Sequence, residues 1–219
     1  MSLHAVFFDM DGTLVDTEPY WWACERELMA EFGYAWSEAD QQHCLGGPLT
    51  RVGAYMQRAA KTETAEYFAE QLILRVERAF EGGLNFMPGA YDLMASLFEA
   101  QIPLALVSAS PRVLVDATLN SLTKNFFAVS ISSNDVIENK PHPEPYLKAA
   151  STLGVDITRS IVLEDSLTGI TAAQASGAMV VAIPHLFTVP SHPRTIVIQS
   201  LIGADLTAIY EQLHEWNSL

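Results

Sequence analysis

The chain has 219 residues, 49% of them hydrophobic, which is enough to form one large domain or two small ones around a substantial core. Its net charge of −14 argues against a nucleic-acid-binding protein, because such proteins contact phosphates with clustered Lys and Arg. The two cysteines indicate neither a disulfide framework nor a structural zinc site. With no signal-peptide pattern and no apolar run of membrane-spanning length, we expect a cytoplasmic protein without membrane partners.

The first apolar run, residues 5–8, predicts a buried strand of a parallel sheet. Asp9 and Asp11 follow it, and because side chains alternate along an extended chain, both carboxylates are expected to project to one side of the strand's end. Gly12 permits a sharp turn that would hold the pair in place. Such an Asp-Gly pair can also be an ordinary turn, but ligands bind open α/β sheets at this edge.

From residue 16 to residue 83 the apolar residues recur at helical spacing, and no segment alternates as a strand would. The spacing predicts helices from residue 18 to a stop at Gly33 and over 37–44, 48–60 and 62–81. Gly82 and Gly83 then interrupt the helical pattern. We therefore predict an all-helical cap domain over residues 16–83.

From residue 88 onward, predicted helices alternate with short apolar strands. The strands are predicted at 104–107, 128–131, 161–163, 179–183 and near 196, and the helices at 88–100, 111–121, 143–153, 167–176 and 204–216. Strands separated by helices of this length imply crossover units and a parallel sheet. The predicted fold is α/β, with a Rossmann-like catalytic core of residues 1–15 and 84–219 that carries the inserted cap.

Further polar residues stand where the later strands end. Ser108 follows the strand at 104–107 and precedes a helix, where a hydroxyl and free backbone N–H groups suit an anion, although a serine there can simply cap the helix. Glu164 and Asp165 follow the strand at 161–163 and could likewise cap a helix. If they lie beside Asp9 and Asp11, four carboxylates repel one another unless a cation intervenes, and oxygen ligands predict Mg²⁺.

Four stretches of this sequence resemble the motifs of the haloacid dehalogenase-like hydrolases, a superfamily made up mostly of phosphatases. They are Asp-Met-Asp-Gly-Thr-Leu-Val-Asp-Thr-Glu at 9–18, the serine at 108, Lys-Pro-x-Pro-Glu-x-Tyr at 140–146 and Glu-Asp-Ser-x-x-Gly at 164–169. The branch that the chain resembles contains sugar phosphatases and β-phosphoglucomutases with a helical cap after the first strand. Before Lys140 the chain departs from relatives, with Glu138-Asn139 where a glycine is common.

The resemblance implies a Mg²⁺-dependent phosphatase that acts on a small phosphorylated metabolite, with a sugar or polyol phosphate ranked first. In this interpretation Asp9 is the nucleophile and forms an aspartyl phosphate, and Asp11 is the general acid and base. Ser108, the amide of Ala109 and Lys140 bind the phosphate. The metal is held by Asp9, the backbone carbonyl of Asp11 and Asp165.

Glu164 would hold a metal-bound water or support the metal ligands without binding the metal itself.

The cap offers less defined candidates for substrate binding. Trp22 belongs to an aromatic group that either lines the pocket or, as such stripes usually do, packs the cap helices. Arg51 follows a loop at 45–50 and could bind a substrate hydroxyl or a second phosphate.

Other members of the superfamily fit less well. Dehalogenases do not need the second aspartate as an acid, and the single cap lysine, Lys61, lies far along the chain from the position a phosphonatase would need. A sugar phosphomutase stays an alternative, since Arg51, Ser110 and Arg112 could hold a second phosphate. A non-catalytic binding protein would be expected to lack a key group, and none is missing. We expect a monomer or a weak homodimer.

Overall fold

The computed structural model describes residues 3–45, 48–185 and 187–216. The chain divides into two compact units, residues Thr17–Leu84 and the remainder, Met1–Asp16 with Asn85–Leu219. The larger unit consists of two segments of the chain. The end of the first lies beside the start of the second, because the N–H of Asp16 donates to the carbonyl of Asn85 at 2.8 Å. Among the described helices, none combines the length and the apolar character that crossing a membrane requires.

The larger unit contains a six-stranded parallel sheet with the strand order β3-β2-β1-β4-β5-β6. The strands are β1 (Val6–Phe8), β2 (Leu104–Val107), β3 (Val129–Ile131), β4 (Ile161–Glu164), β5 (Met179–Ala182) and β6 (Thr195–Val197). The order reverses beside β1, since the chain adds β2 on one side and β4 on the other. In open α/β sheets the crevice at such a reversal is where ligands bind.

Helices lie between most consecutive strands of this unit, and the last helix follows β6. They are α5 (Ala90–Glu99), α6 (Arg112–Ser121), α7 (Glu144–Leu153), α8 (Leu167–Ala175) and α9 (Leu206–Trp216), with short 3₁₀ turns at Ser133–Asp135 and Ile157–Arg159. The residues of β1, β2, β4 and β5 are fully or almost fully buried, as the continuous apolar runs predict. One face of the sheet packs against α7 and α8 through side chains such as Tyr146, Ala149 and Ile170.

The smaller unit is all-helical over the residues that the structure describes. Its helices are α1 (Glu18–Glu31), α2 (Glu38–Cys44), α3 (Leu49–Ala60) and α4 (Ala65–Glu81). Helix α4 begins three residues later than its apolar pattern predicts, because the Thr64 hydroxyl accepts a hydrogen bond from the N–H of Tyr67 and caps the helix there. The predicted loop at 45–50 includes Gly46 and Gly47, which lie outside the described residues.

The α/β fold class, with a parallel sheet and an all-helical insertion, is therefore confirmed. The predicted strand at 104–107 coincides with β2, and the other predicted strands lie within one or two residues of those observed. Cys24 and Cys44 are both buried free thiols. The predicted roles of the larger unit as catalytic core and of the smaller unit as cap stay predictions.

Candidate active site

The carboxyl ends of two central strands carry two of the predicted catalytic residues, Asp9 and Ser108. Asp9 follows β1, and its N–H donates to the carbonyl of Leu163 in β4 at 3.0 Å. Ser108 follows β2, and its N–H donates to the carbonyl of Ile131 in β3 at 2.9 Å. The hydrogen bonds between neighbouring strands thus continue one residue beyond β1 and β2. They fix the backbones of Asp9 and Ser108 at the edge of the sheet.

Lys140 joins the strand ends through its ammonium group. Its Nζ lies 2.6 Å from Asp9 Oδ1 and 2.6 Å from Glu164 Oε1, and it donates to the carbonyl of Val107 at 2.9 Å. Only 3% of the side chain is exposed, so Lys140 is not a solvated surface charge. Burial acts to lower the pKa of Lys140, but the carboxylates of Asp9 and Glu164 outweigh it and hold the pKa well above its ordinary value.

Glu164 is fully buried, and both of its oxygens accept hydrogen bonds. Oε1 accepts from Lys140 and from the phenol of Tyr146 at 2.7 Å, and Oε2 accepts from the N–H and hydroxyl of Ser166. Gly169 is packed so closely that a Cβ there would lie 1.7 Å from Glu164 Oε1. Glu164 is therefore held rigidly, and through it Tyr146 supports the position of Lys140.

The sequence gives Tyr146 no role of its own, although it ends the Lys-Pro-x-Pro-Glu-x-Tyr run. The phenol is fully buried, and Lys140 Nζ also lies 5.0 Å from the centre of its ring. The signal that could have identified it is its place in helix α7, which directly follows the lysine loop and packs on the sheet.

Asp165 is packed against the turn that follows β1. Its Oδ1 accepts a hydrogen bond from the Thr13 hydroxyl at 3.2 Å, and a Cβ on Gly12 would lie 2.3 Å from its Oδ2. Gly12 has φ +84°, a conformation that favours glycine, so both the space and the backbone require a glycine here. Burial and the nearby Glu164 raise the pKa of Asp165 to about 7.

His185 also contacts this turn, with its Nε2 3.2 Å from the carbonyl oxygen of Gly12. It lies 173 positions from Gly12, in the segment after β5, and no pattern in the sequence singled it out. A carbonyl oxygen only accepts, so a hydrogen bond here requires a proton on Nε2.

Asp11 is held through one of its two carboxylate oxygens. The hydroxyls of Ser108 and Ser110 both donate to Oδ2, at 3.1 and 2.8 Å. Oδ1 is buried and has no hydrogen-bond partner among the residues that the structure describes. The sequence suggested Ser110 only for a second phosphate, so its contact with Asp11 is new.

The residues at this sheet edge fit a hard divalent cation. Asp9, Glu164 and Asp165 each offer a carboxylate oxygen, and these three atoms lie within 4.8 Å of one another. Burial, and next the charge of Glu164, raise the pKa of Asp9 well above its usual range, so protons and a cation would compete for these carboxylates. A set of oxygen donors alone suits a hard ion rather than a soft one.

The predicted phosphate-binding residues lie in the same unit. Ser108 is buried, whereas Ala109 is exposed and its carbonyl accepts a 3.4 Å hydrogen bond from the side-chain amide of Asn139, in the lysine loop. The backbone from Ser108 to Ser110 turns sharply, because the N–H of Ser110 donates to the Ser108 hydroxyl at 2.9 Å. The loops that carry Ser108 and Lys140 therefore meet at this edge.

Trp22 and Arg51, the tentative substrate-binding residues, belong to the helical unit. Trp22 is half-buried in α1, and the guanidinium of Arg26 lies 5.5 Å from its ring centre. The exposed Arg51 donates to the carbonyls of Cys44 and Leu45, where it caps the end of α2. Their substrate-binding roles stay predictions.

Several known proteins are similar to this chain. The model of the haloacid dehalogenase-like hydrolase family matches residues 6–183. The chain is 30% identical over 184 residues to hexitol phosphatase B of Escherichia coli (strain K12), covering 82% of this chain and 83% of that protein. It is also 30% identical over 177 residues to a phosphorylated carbohydrates phosphatase of Thermotoga maritima, covering 80% and 82% of the two chains.

A solved structure resembles the whole chain in fold. The β-phosphoglucomutase of Clostridium difficile superimposes with a TM-score of 0.80, covering 99% of this chain and 100% of that one at 22% identity. At that identity the likeness concerns the fold alone. The match to the family model and the two sequence relatives show more than the fold. The chain belongs to the haloacid dehalogenase-like hydrolase family and is an enzyme, a phosphoric monoester hydrolase.

Proposed function

We propose that this enzyme is a Mg²⁺-dependent phosphatase that hydrolyses a small sugar or polyol phosphate through an aspartyl-phosphate intermediate. The observation that carries the proposal is the position of Lys140 Nζ, 2.6 Å from both Asp9 and Glu164 at the edge where Asp165 also lies. A buried cation between carboxylates from two strands suits a site that receives the negative charge of a phosphate.

In the proposed first step, Asp9 attacks phosphorus. A bond forms between a carboxylate oxygen of Asp9 and phosphorus while the bond from phosphorus to the leaving oxygen breaks, and Asp11 gives that oxygen its proton. In the second step Asp11 takes a proton from a water, whose oxygen bonds to phosphorus while the bond between phosphorus and the Asp9 oxygen breaks. This releases phosphate and restores the Asp9 carboxylate. Lys140, the Ser108 hydroxyl and the Ala109 amide hold the phosphoryl oxygens throughout.

Asp9, Asp165 and the backbone carbonyl of Asp11 would hold Mg²⁺, which supplies positive charge to the phosphoryl oxygens when it is bound. Glu164 has both oxygens occupied by Lys140, Tyr146 and Ser166, which supports a role outside the ligand set. Thr13 and Gly12 would keep Asp165 in place for the ion.

The substrate class rests on the relatives, whose names describe a hexitol phosphatase and a phosphatase of phosphorylated carbohydrates. We extend that class to this chain as sugar or polyol monophosphates. Residues 16–83 would act as the cap over a core of residues 1–15 and 84–219, with Trp22 and Arg51 as its candidates for contacting the substrate.

The contacts of the candidate second-phosphate residues favour hydrolysis over the mutase alternative. The guanidinium of Arg112 forms ion pairs with Asp116 and Asp135, and Ser110 donates to Asp11. Arg51 donates to two backbone carbonyls. A mutase must bind a second phosphate, and each of these groups would first have to give up the contacts it makes here.

The test is phosphate release by the purified full-length chain from a panel of hexose, pentose and hexitol monophosphates, glycolate phosphate and nucleotides. We expect release from at least one sugar or polyol phosphate with Mg²⁺ and none after removal of the metal with EDTA. Interconversion of two sugar phosphates that needs a bisphosphate activator would instead assign the mutase reaction. Release from nucleotides or glycolate phosphate alone would contradict the substrate class.

A further inference from the structure

The hydroxyl of Ser110 contacts a group that the proposed reaction uses, although the sequence suggested Ser110 only for a second phosphate. Its Oγ donates to Asp11 Oδ2 at 2.8 Å, and Ser108 Oγ donates to the same oxygen at 3.1 Å. Oδ1 of Asp11 is buried and has no hydrogen-bond partner within the described part of the chain. The two oxygens of one carboxyl group are therefore in different environments.

The backbone around Ser110 holds this hydroxyl in position. The N–H of Ser110 donates to Ser108 Oγ at 2.9 Å, and the carbonyl of Ser110 accepts from the N–H of Ser133 at 3.0 Å. Pro111 follows, with φ fixed by its ring, and α6 begins at Arg112. Ser110 is thus anchored on both sides to the sheet edge that carries Asp11.

The two serines would act differently once a phosphate is bound. In the proposed function Ser108 binds a phosphoryl oxygen, and that oxygen competes with Asp11 for the single proton of the Ser108 hydroxyl. Ser110 then remains the side-chain donor on Asp11 Oδ2. The carbonyl-type oxygen of a carboxyl group is a better acceptor than its hydroxyl oxygen, so a hydrogen bond to Oδ2 favours the transferable proton on Oδ1.

We infer that Ser110 is a positioning residue that fixes the carboxyl group of Asp11, so that Oδ1 is the oxygen that protonates the leaving group. This inference rests on the proposed function, in which Asp11 is the general acid. In the step it serves, the Oδ1–H bond of Asp11 breaks, the leaving oxygen takes that proton, and the electrons of the broken phosphorus–oxygen bond stay on that oxygen. No further reactant is needed.

Leaving groups of different basicity separate this role from simple phosphate binding. p-Nitrophenoxide departs readily without a proton, whereas phenoxide is more basic and gains more from a general acid. We therefore compare kcat/KM for phenyl phosphate and p-nitrophenyl phosphate, two substrates of similar shape. Because kcat/KM reports steps up to the release of the leaving group, hydrolysis of the aspartyl phosphate does not affect the comparison.

The variants are Ser110→Ala, Ser110→Thr, Asp11→Asn and, as a matched control, Ser121→Ala at the far end of α6, where the hydroxyl donates to the carbonyl of Thr118. We expect Ser110→Ala to lower kcat/KM for phenyl phosphate about tenfold or more, and for p-nitrophenyl phosphate less than about threefold. Ser110→Thr, which keeps a hydroxyl, should restore most of the loss, and Ser121→Ala should match the wild type.

Two results distinguish the inference from the function it rests on. If Asp11→Asn lowers kcat/KM equally for both substrates, Asp11 is not the general acid and the proposed function itself fails. If Asp11→Asn lowers kcat/KM selectively for phenyl phosphate while Ser110→Ala lowers it equally for both substrates, Ser110 binds substrate or supports the fold, and the inference is overturned. A Ser110→Ala variant with the wild-type kcat/KM for both substrates would overturn it as well.

Discussion

The ammonium of Lys140 lies 2.6 Å from Oδ1 of Asp9, although 131 positions separate the two residues in the chain. Both side chains are nearly buried, and a buried charge is tolerated only where it is paired and hydrogen-bonded. Burial and the surrounding carboxylates raise the pKa of Asp9, and Lys140 is the group that opposes this rise. The ammonium therefore favours the ionised form of Asp9, which is the form that a nucleophile requires.

Replacing Lys140 with Met should therefore affect both catalysis and stability. The change leaves Asp9 and Glu164 buried without their cation, and breaking such a buried pair costs about 3 kcal/mol. We expect kcat/KM for p-nitrophenyl phosphate to fall by a factor on the order of 10³, by analogy with the loss of other preorganised donors. Urea denaturation in EDTA measures the stability change.

The matched control for this experiment is Lys124→Met. Lys124 is exposed, with its ammonium near the rings of Phe98 and Phe126, so its removal should change the free energy of unfolding by less than about 1 kcal/mol. Equal effects of the two substitutions on activity and stability would show that the buried pair has no special role.

Gly12→Ala tests the close packing between the turn after β1 and Asp165. The new Cβ would lie 2.3 Å from Asp165 Oδ2 in a backbone with φ +84°, so the carboxylate must move away from the proposed metal site. We expect the Mg²⁺ concentration for half-maximal activity to rise about tenfold or more, as for other disturbed metal surroundings. Phosphate release at a series of Mg²⁺ concentrations measures it.

Gly154→Ala separates the effect of this packing from backbone strain alone. Gly154 has φ +70° at the end of α7, and a Cβ there would meet nothing within 4 Å. It should lose about 1 kcal/mol of stability and keep the wild-type response to Mg²⁺. If Gly12→Ala also kept that response, Asp165 would not depend on the glycine for its position.

Protons and the metal should compete for Asp165. Burial and Glu164 raise its pKa to about 7, so without metal the carboxyl group is protonated below that pH, and binding a cation must release the proton. We expect Mg²⁺ affinity to decrease as the pH falls from about 8 to about 6, by up to about tenfold per pH unit below 7. Isothermal titration calorimetry in buffers of different ionisation enthalpy measures both affinity and released protons. Affinity that is constant over this range would exclude the raised pKa.

The sequence predicted the parts of the site that depend on strand ends and contiguous motifs. A buried run places the next residue at the sheet edge, so Asp9, Ser108 and Asp165 could be located before the structure was known. Lys140 could be recognised only through the resemblance of its motif, because a lone lysine in a loop has no pattern of its own.

The remaining contacts depend on side-chain rotamers and long-range packing, which spacing along the chain does not encode. Ser110 could have pointed towards a second phosphate together with Arg51 and Arg112, but its hydroxyl donates to Asp11 instead. His185 reaches Gly12 from a loop 173 positions away. For such residues the sequence names the side chain but not its partner.

Glu25 in the helical unit provides a prediction about stability that does not involve the metal site. The carboxyl group is buried, and Trp36 Nε1 donates to its Oε2 at 3.0 Å. Burial raises its pKa from 4.5 to about 7, so between these values the folded protein binds more protons than the unfolded chain. Stability should therefore decrease as the pH rises through this range.

Glu25→Gln should remove this dependence, because an amide has no charge to bury and its oxygen can still accept from Trp36. Near pH 8 the variant should be more stable than the wild type by on the order of 1–3 kcal/mol, and near pH 4.5 about equal to it. Glu27→Gln, at an exposed position of the same helix, is the control and should show no such gain. Urea denaturation at the two pH values measures the difference. A Glu25→Gln variant that is no more stable than the wild type near pH 8 would show that ionising Glu25 carries no cost.

The most direct test of the proposed mechanism is phosphate release by Asp9→Asn at saturating Mg²⁺. The amide cannot form the aspartyl phosphate, so turnover of p-nitrophenyl phosphate should fall by a factor on the order of 10⁴ or more while the circular dichroism spectrum stays that of the wild type. A correctly folded Asp9→Asn protein that retains turnover within about tenfold of the wild type would contradict nucleophilic attack by Asp9.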